Sequence, residues 1–297
     1  MDYLYGIYSS LVTGLSYGLV LSMLAAGFSL VFGVMGNLNM AHGTFYMFGA
    51  FAAYAVSTYI GLSPALSVAA SVAIVFLLSM ATLAGIVPRK MWITSIPNEQ
   101  ALVMILLLAF TTVAAQVVFF MFGGTPVQTP PVVSTYIHLT GKLYLYGEFA
   151  ISMVVAVASY IALGLFLGYT KWGKAVRAYS QDKESAEAIG INGRRITIFI
   201  FGIGGALAAV SGSLLSSIYA VDPTTGLTEL LIAFIIVMLG GIGSILGSIV
   251  GGLIFGVAYQ ALEFFLPPYT FVLLFLLIYI VIIVRPSGLF GQAITRV

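Results

Sequence analysis

Residues 8–44 read YSSLVTGLSYGLVLSMLAAGFSLVFGVMGNLNMAHGT. Tyr8 to Phe32 is an apolar run long enough to cross a hydrocarbon core, which takes about 20 helical residues. Gly33-Val34-Met35-Gly36-Asn37-Leu38-Asn39 interrupts it, and a second apolar run follows from Thr44 to Ile60. Working outward, no charge occurs between Asp2 and Arg89, and Gly61-Leu62-Ser63-Pro64 marks the next joint before a run from Pro64 to Val87. Further spans are expected at about Gln100 to Phe122, Glu148 to Tyr169 and Ile196 to Ile218. Between Glu229 and Arg285 the only interior charge is Glu263, which predicts two spans or one re-entrant pair, then a last helix from Tyr269 to Val284. The fold class is therefore an all-α polytopic membrane protein of eight or nine transmembrane helices with Gly-rich broken or re-entrant segments. It forms one transmembrane domain over residues 1–297, and no ~10-residue alternating segments suggest a barrel.

Composition agrees: of 297 residues 61% are hydrophobic and 7% charged, far below the roughly 25% of soluble domains. A net charge of +2 gives no broad basic surface for nucleic acid. The absence of Cys removes disulfides, thiolate metal sites and Cys nucleophiles, and the two His residues, His42 and His138, lie too far apart for a zinc helix. Neither a metal nor any other cofactor is expected. No Ser-His-Asp or paired-carboxylate set shares a helix, so the chain reads as non-catalytic.

The basic residues set the orientation. Arg89, Lys90, Lys171, Lys174, Arg177, Lys183, Arg194, Arg195, Arg285 and Arg296 belong on the cytoplasmic side, while the Thr- and Pro-rich segment 123–147, carrying only Lys142, faces outward. Nine crossings place the N-terminus outside and eight place it inside. Asp222 and Glu229 are expected in the outward loop after the sixth helix and Glu148 and Glu263 at or near outer ends of spans, all of them solvated.

The cytoplasmic loop 171–195 is too patterned for a passive connector. Ser180 is expected as a helix cap, Asp182 and Glu184 in the first turn, Ala186 and Ala188 in the body and Gly190 at the stop. The apolar points Tyr179, Ala186 and Ile189 fall at helical spacing and suit a groove on a partner, while the bland alternative is a solvated loop touching anionic lipid. Gly168-Tyr169-Thr170-Lys171-Trp172-Gly173-Lys174-Ala175 nearly spells a phosphate loop, but Ala175 replaces the hydroxyl that would bind Mg²⁺. Any ATP is therefore handled by another chain.

Asn37, Asn39, His42 and Thr44 place four polar side chains between two apolar spans, so they face protein or a water-filled cavity. They are candidates to line a translocation path, with free N–H groups from Thr44 aimed at a substrate carboxylate. The bland alternative is a capped turn in which Asn39 caps the second helix and His42 bonds a neighbouring carbonyl. Gly240, Gly241, Gly243 and Gly247 form a second candidate break, offset by 207 residues from Gly33-x-x-Gly36, as Phe255-Gly256 is from Phe48-Gly49. Gly204, Ala208 and Gly212, and Gly243, Gly247 and Gly251, recur every four residues and predict close helix packing within the subunit or at a subunit interface.

These residues resemble a known family, the LivH-type membrane subunits of ABC importers for branched-chain amino acids. Asn39-Met40-Ala41-His42-Gly43-Thr44-Phe45-Tyr46-Met47-Phe48-Gly49-Ala50 is similar to its N-F-A-H-G-E-F-Y-M-x-G-A signature. Gly173 through Ile191 resembles its coupling loop, with Arg177, Gln181, Asp182, Ala186, Gly190 and Ile191 as the coupling positions. Leu239 to Ser244 with Gly247, and Arg285 to Gly291, match two more segments in the expected order. The resemblance implies a second permease subunit, two cytoplasmic ABC ATPases, an extracytoplasmic substrate-binding protein and a bacterial or archaeal cytoplasmic (inner) membrane. It also implies amino-acid import as the function. Thr44 stands where the family usually has Glu, which leaves related permeases for urea, short amides or other small polar solutes as the alternative. A self-sufficient carrier or channel would leave the charged loop unexplained.

Overall fold

In a computed structural model the described residues are 2–87, 99–140, 143–285 and 287–291. Arg89, Lys90, Lys142, Pro286 and Arg296 lie outside them. The helices are α1 (Asp2–Met35), α2 (His42–Ala55, continued by a π-helical turn Val56–Ile60), α3 (Pro64–Ile86), α4 (Glu99–Phe122) and α5 (Gly147–Tyr169). Two short helices follow, α6 (Lys171–Gln181) and α7 (Lys183–Ala188), then α8 (Gly193–Leu215), α9 (Thr225–Gly240), α10 (Ile245–Phe265) and α11 (Thr270–Val284). The outward segment carries an antiparallel hairpin of β1 (Tyr136–Thr140) and β2 (Leu143–Tyr146), which the apolar pattern did not predict.

Among the described residues seven helices are long and apolar enough to cross a membrane: α1, α3, α4, α5, α8, α10, and α11 with the 3₁₀ turn before it, while α9 is apolar but shorter. The core is built on α1 and α8. Val20, Leu24, Ala25 and Val31 of α1 and Ile200, Phe201, Ala208 and Leu214 of α8 are sealed from solvent. By contrast α3, α4, α5 and α11 turn Leu77, Phe120, Ile161 and Ile280 outward, where lipid tails satisfy apolar surface as well as protein does. On α3 the polar residues Ser67, Ser71, Ser79 and Thr82 all face inward, and each hydroxyl returns to a carbonyl of its own helix.

Backbone-close seams join the central helices. A Cβ at Gly18 would strike the Gly252 carbonyl and the Gly256 Cα, and one at Gly256 would strike the Gly14 carbonyl and the Gly18 backbone. Gly14, Gly18, Gly252 and Gly256 thus let α1 and α10 approach at backbone distance. Of the predicted small-residue stripes, Gly204 meets Val31 and Gly27 of α1, Gly212 meets Tyr46 of α2, Gly247 meets Gly240, and Gly251 meets Ile236 and Gly240 of α9. All four are occupied inside the subunit. Gly243 is not in a seam; it sits in the α9–α10 turn at φ +81°, beside Gly241 at φ +106°, conformations that side chains resist. Gly36 adopts φ +75° at the α1–α2 break, whereas Gly33 remains helical.

The α1–α10 contacts run antiparallel, from Gly14 against Val257 to Ser29 against Ser248, whose hydroxyls are 2.8 Å apart. Lys183 Nζ donates to the Met35 carbonyl at 2.9 Å, so the C-terminal end of α1 shares a side with the charged loop. Leu289 and Phe290 amides donate to the Leu239 and Gly240 carbonyls and bring the chain's end to that side too. The N-terminal end of α1 therefore lies opposite the charged loop.

Two expectations of solvated carboxylates fail. Glu148 is fully buried: its Oε1 accepts from Ser217 Oγ at 2.6 Å and its Oε2 from the Val133 amide at 3.0 Å. Glu229 is not in a loop but one turn into α9, and only 8% exposed. Both were misplaced because a charge at a span's edge looks solvated in sequence, while a folded outer loop covers Glu148 and neighbouring helices enclose Glu229. Val127 pairs with Val221, and Thr129 with Ser216, so the outer loop is stapled to the α8–α9 turn. Glu148→Ala removes two charge-assisted bonds at this staple and is expected to cost about 2–3 kcal/mol. Faster proteolysis within residues 123–147 in the intact protein measures it; unchanged proteolysis would show that the Val127 and Thr129 contacts suffice.

Candidate functional site: the α1–α2 break and the α6–α7 platform

The α1–α2 break is a closed polar knot. Asn39 is buried, its Oδ1 accepting from the Ala41 amide at 3.1 Å and its Nδ2 lying 3.5 Å from His42 Nδ1. The other ring nitrogen of His42 lies 2.8 Å from the Leu24 carbonyl, and Phe28 stands edge-on to the imidazole. A buried imidazole shared between an amide and a carbonyl has its orientation fixed on both sides. Thr44 donates to Thr111 Oγ1 at 3.1 Å, and Thr111 donates in turn toward the carbonyls of Met40 and Leu107, each at 3.1 Å. The knot thereby ties α2 to α1 and α4 with few unsatisfied groups. Asn37 is half-buried and takes no part in these bonds. Thus the structure brings Asn39, His42 and Thr44 together and leaves Asn37 outside them. Residue 41 stands at the cap position of α2 without a side-chain bond, so Asn39 acts through the Ala41 amide and not as a helix cap.

Gly43 presses α2 onto α9: a Cβ there would collide with the Gly226 carbonyl and with Leu230. The second break, Gly240 to Ser244, is held by the returning chain end, since a Cβ at Gly241 would strike Gly291. Ser244 caps α10, accepting from the Gly247 amide at 2.9 Å.

On the opposite face from the N-terminus, α6 and α7 make a platform. The near-phosphate-loop stretch is a helix junction, with Thr170 Oγ1 accepting from the Gly173 amide at 2.9 Å to cap α6. Ser180 does not cap α7 as expected, because α6 runs on through it and its hydroxyl returns to the Arg177 carbonyl. Asp182 is the cap: Oδ1 accepts from the Ser185 amide at 3.1 Å and Oδ2 from the Ser185 hydroxyl. Those bonds hold the exposed carboxyl below its ordinary range. Since the folded value is depressed, the cap's contribution is complete at neutral pH and fades only as pH falls through that depressed value. Gly190 ends α7 at φ +93°, and its neighbour Ile191 donates to the Ala186 carbonyl at 3.0 Å.

The platform's apolar side faces its own bundle. Val176, Tyr179 and Ala186 are buried, so of the three apolar points expected to meet a partner only Ile189, 78% exposed, remains outward. The pattern alone could not say which surface the stripe covers, and the subunit's own α8 claims it. Burial raises the Tyr179 hydroxyl and lowers the Lys183 ammonium from their ordinary values, with Glu187 beside both. Arg177, Gln181 and Asp182 point outward. Beside them lies a groove of about 300 Å³ lined by Lys171, Trp172, Gly190, Ile191, Asn192 and Arg195 among others.

The chain matches, over residues 10–283, the family described as the permease component of branched-chain amino acid transport systems. It is 28% identical over 290 residues to the high-affinity branched-chain amino acid transport permease LivH of Salmonella typhimurium, covering 94% of each chain. It is also 28% identical to the corresponding permease BraD of Pseudomonas aeruginosa, covering 98% of each. A shorter match, 34% identical over 149 residues, covers 47% of this chain and 40% of the fructose import permease FrcC of Rhizobium meliloti. Among solved structures, PsaBC from Streptococcus pneumoniae in complex with Fab aligns over 90% of each chain at a TM-score of 0.47 and 14% identity. With a match that runs through the α1–α2 break, the α6–α7 platform and the α9–α10 turn, this membrane chain belongs to the branched-chain amino acid transport permease family.

Proposed function

We propose that the protein is the membrane-spanning subunit of an ATP-driven importer in a bacterial or archaeal cytoplasmic membrane and carries branched-chain or related amino acids. Its partners are a second permease subunit, two cytoplasmic ATPases and an extracytoplasmic substrate-binding protein. The observation that carries this reading is the platform: two short helices pinned to the bundle by Tyr179, Ala186 and Lys183 and presenting Arg177, Gln181 and Asp182 outward. A rigid, charged shelf at the inner ends of α1, α5 and α8 suits mechanical coupling to an external engine, and a passive connector would need no such anchoring. The Gly190–Ile191 groove suits a protruding side chain of the ATPase.

In this reading the path passes the α1–α2 break. Asn37 faces it, while Asn39, His42 and Thr44 hold the break in shape from behind. Segment 123–147, stapled to the α8–α9 turn, forms part of the face that receives the binding protein.

The test is reconstitution. The chain alone in liposomes is expected to give no leucine uptake above background, and uptake is expected to appear only with the ATPase subunits, ATP and the binding protein. Uptake by the chain alone would reject the proposal. Urea and acetamide run in parallel: transport of those with no transport of leucine would replace the amino-acid assignment by the alternative solute class.

A further inference from the structure

Among the described residues Glu229 is the acid that the bundle encloses with an oxygen left unpaired. It is more than nine-tenths buried, and its Oε2 is sealed from solvent and meets no hydrogen-bond donor. Glu148, by comparison, is buried with both oxygens satisfied. A lone buried carboxylate costs several kcal/mol, so a structure that keeps one supplies a cation or a proton for it. No basic side chain enters its surroundings among the described residues; the groups within electrostatic reach are the hydroxyls of Tyr17, Tyr46, Tyr219 and Tyr259, from α1, α2, the α8–α9 turn and α10.

Three of those rings pack on one another. Tyr17 lies 5.2 Å from Tyr259 and 5.5 Å from Tyr219, centroid to centroid, and Gln260 holds the Tyr219 hydroxyl at 3.0 Å. A buried carboxylate with tyrosines around it has the chemistry to recognise an organic ammonium, through one charge contact and contacts to electron-rich rings. Position agrees with delivery from outside: Glu229 is one turn below the outer α8–α9 turn, on the face of α9 near Gly43 of α2, since Gly226 and Leu230 flank it there.

The geometry points to Glu229, with Tyr17, Tyr46 and Tyr259, as the site that holds the ammonium group of the solute as it enters the bundle. This rests on the amino-acid reading above and deepens it: the selecting group on the permease is the one that distinguishes an amine from a neutral or acidic analogue. Glu229 supplies the charge, and the tyrosines supply a dry wall that strengthens it.

The experiment uses the purified permease–ATPase complex without binding protein and follows thermal stability in detergent with three probes: leucine, 3-methylbutylamine, which lacks the carboxylate, and 4-methylpentanoate, which lacks the ammonium. Leucine and the amine are expected to stabilise the complex and the acid to leave it unchanged. Glu229→Gln is expected to weaken both effects by roughly tenfold or more, the usual consequence of losing one charged contact. Tyr259→Leu, which leaves the acid in place, is expected to weaken the amine by a smaller factor and serves if the first variant does not assemble. An amine that fails to bind the wild-type complex, or that binds Glu229→Gln equally well, overturns the site and leaves Glu229 as a carrier of a proton only. Leucine carried by the full importer with a normal Glu229→Gln also overturns it, without touching the transport reading. Amine binding through Glu229 with no leucine transport upholds the site and rejects the amino-acid assignment.

Discussion

Gly18→Leu is expected to abolish the assembled fold, or to lower its stability by about 3 kcal/mol or more, because the new side chain meets backbone that cannot step aside. Overpacking in a close-packed interior typically costs about 1–3 kcal/mol when neighbouring side chains can adjust. Here the neighbours are the Gly252 carbonyl and the Gly256 Cα, so relief requires moving α10 away from α1. Displacing α10 would also pull Ser248 from Ser29 and disturb the α9–α10 turn on which the chain's end rests. The control is Gly85→Leu: Gly85 lies in α3, and a Cβ there meets nothing within 4 Å. Size-exclusion profile and unfolding temperature in detergent decide the matter. Equal loss in both variants would mean that the α1–α10 seam is not what makes Gly18 necessary.

Gly190→Val is expected to leave the bundle intact and to reduce transport-coupled ATP hydrolysis to its basal level. At φ +93° a β-branched residue is strained, by roughly 1–3 kcal/mol at such positions, and the chain relieves it by unwinding the end of α7. Ile191 then loses the Ala186 carbonyl, and the groove it shares with Lys171, Trp172 and Arg195 changes shape. Because the platform lies outside the membrane-crossing helices, the unfolding temperature is expected to move by only a few degrees. Asp182→Asn, which keeps an oxygen to accept from the Ser185 amide, is expected to retain more coupling than Asp182→Ala. Stimulated ATPase activity in the reconstituted complex reads both comparisons, and full stimulation in Gly190→Val would remove α7 from the coupling route.

Several features were legible because they depend on composition along the chain. An uncharged run from Asp2 to Arg89 has few destinations other than a bilayer, and Gly or Pro at each joint marked the helix limits at Gly61, Pro64 and Gly190 to within a residue or two. The helical stop at Gly190 needed only the rule that left-handed backbone prefers glycine. The break before α2 was visible as four polar residues, Asn37, Asn39, His42 and Thr44, where lipid tolerates none unpaired.

What failed to show depends on partners distant in the chain. Asn39, His42 and Thr44 announce a polar site, but only the positions of Leu24 and Thr111 reveal that their hydrogen bonds are spent inside the subunit. Tyr179 and Ala186 have the spacing of a docking stripe, and nothing local says that α8 already covers it. Of the two misread acids, one became a satisfied staple because Val133 and Ser217 meet its oxygens, and the other was left with an oxygen that no donor reaches.

The sequence by itself determined that this chain is a bundle of membrane helices and where the chain breaks, since transfer from water to lipid acts residue by residue and segment by segment. The tertiary structure alone decided which glycines are seams, which polar groups are consumed in holding the fold, and that one oxygen of Glu229 is left enclosed without a partner among the described residues, because each of these is a property of two or more helices meeting at atomic distance.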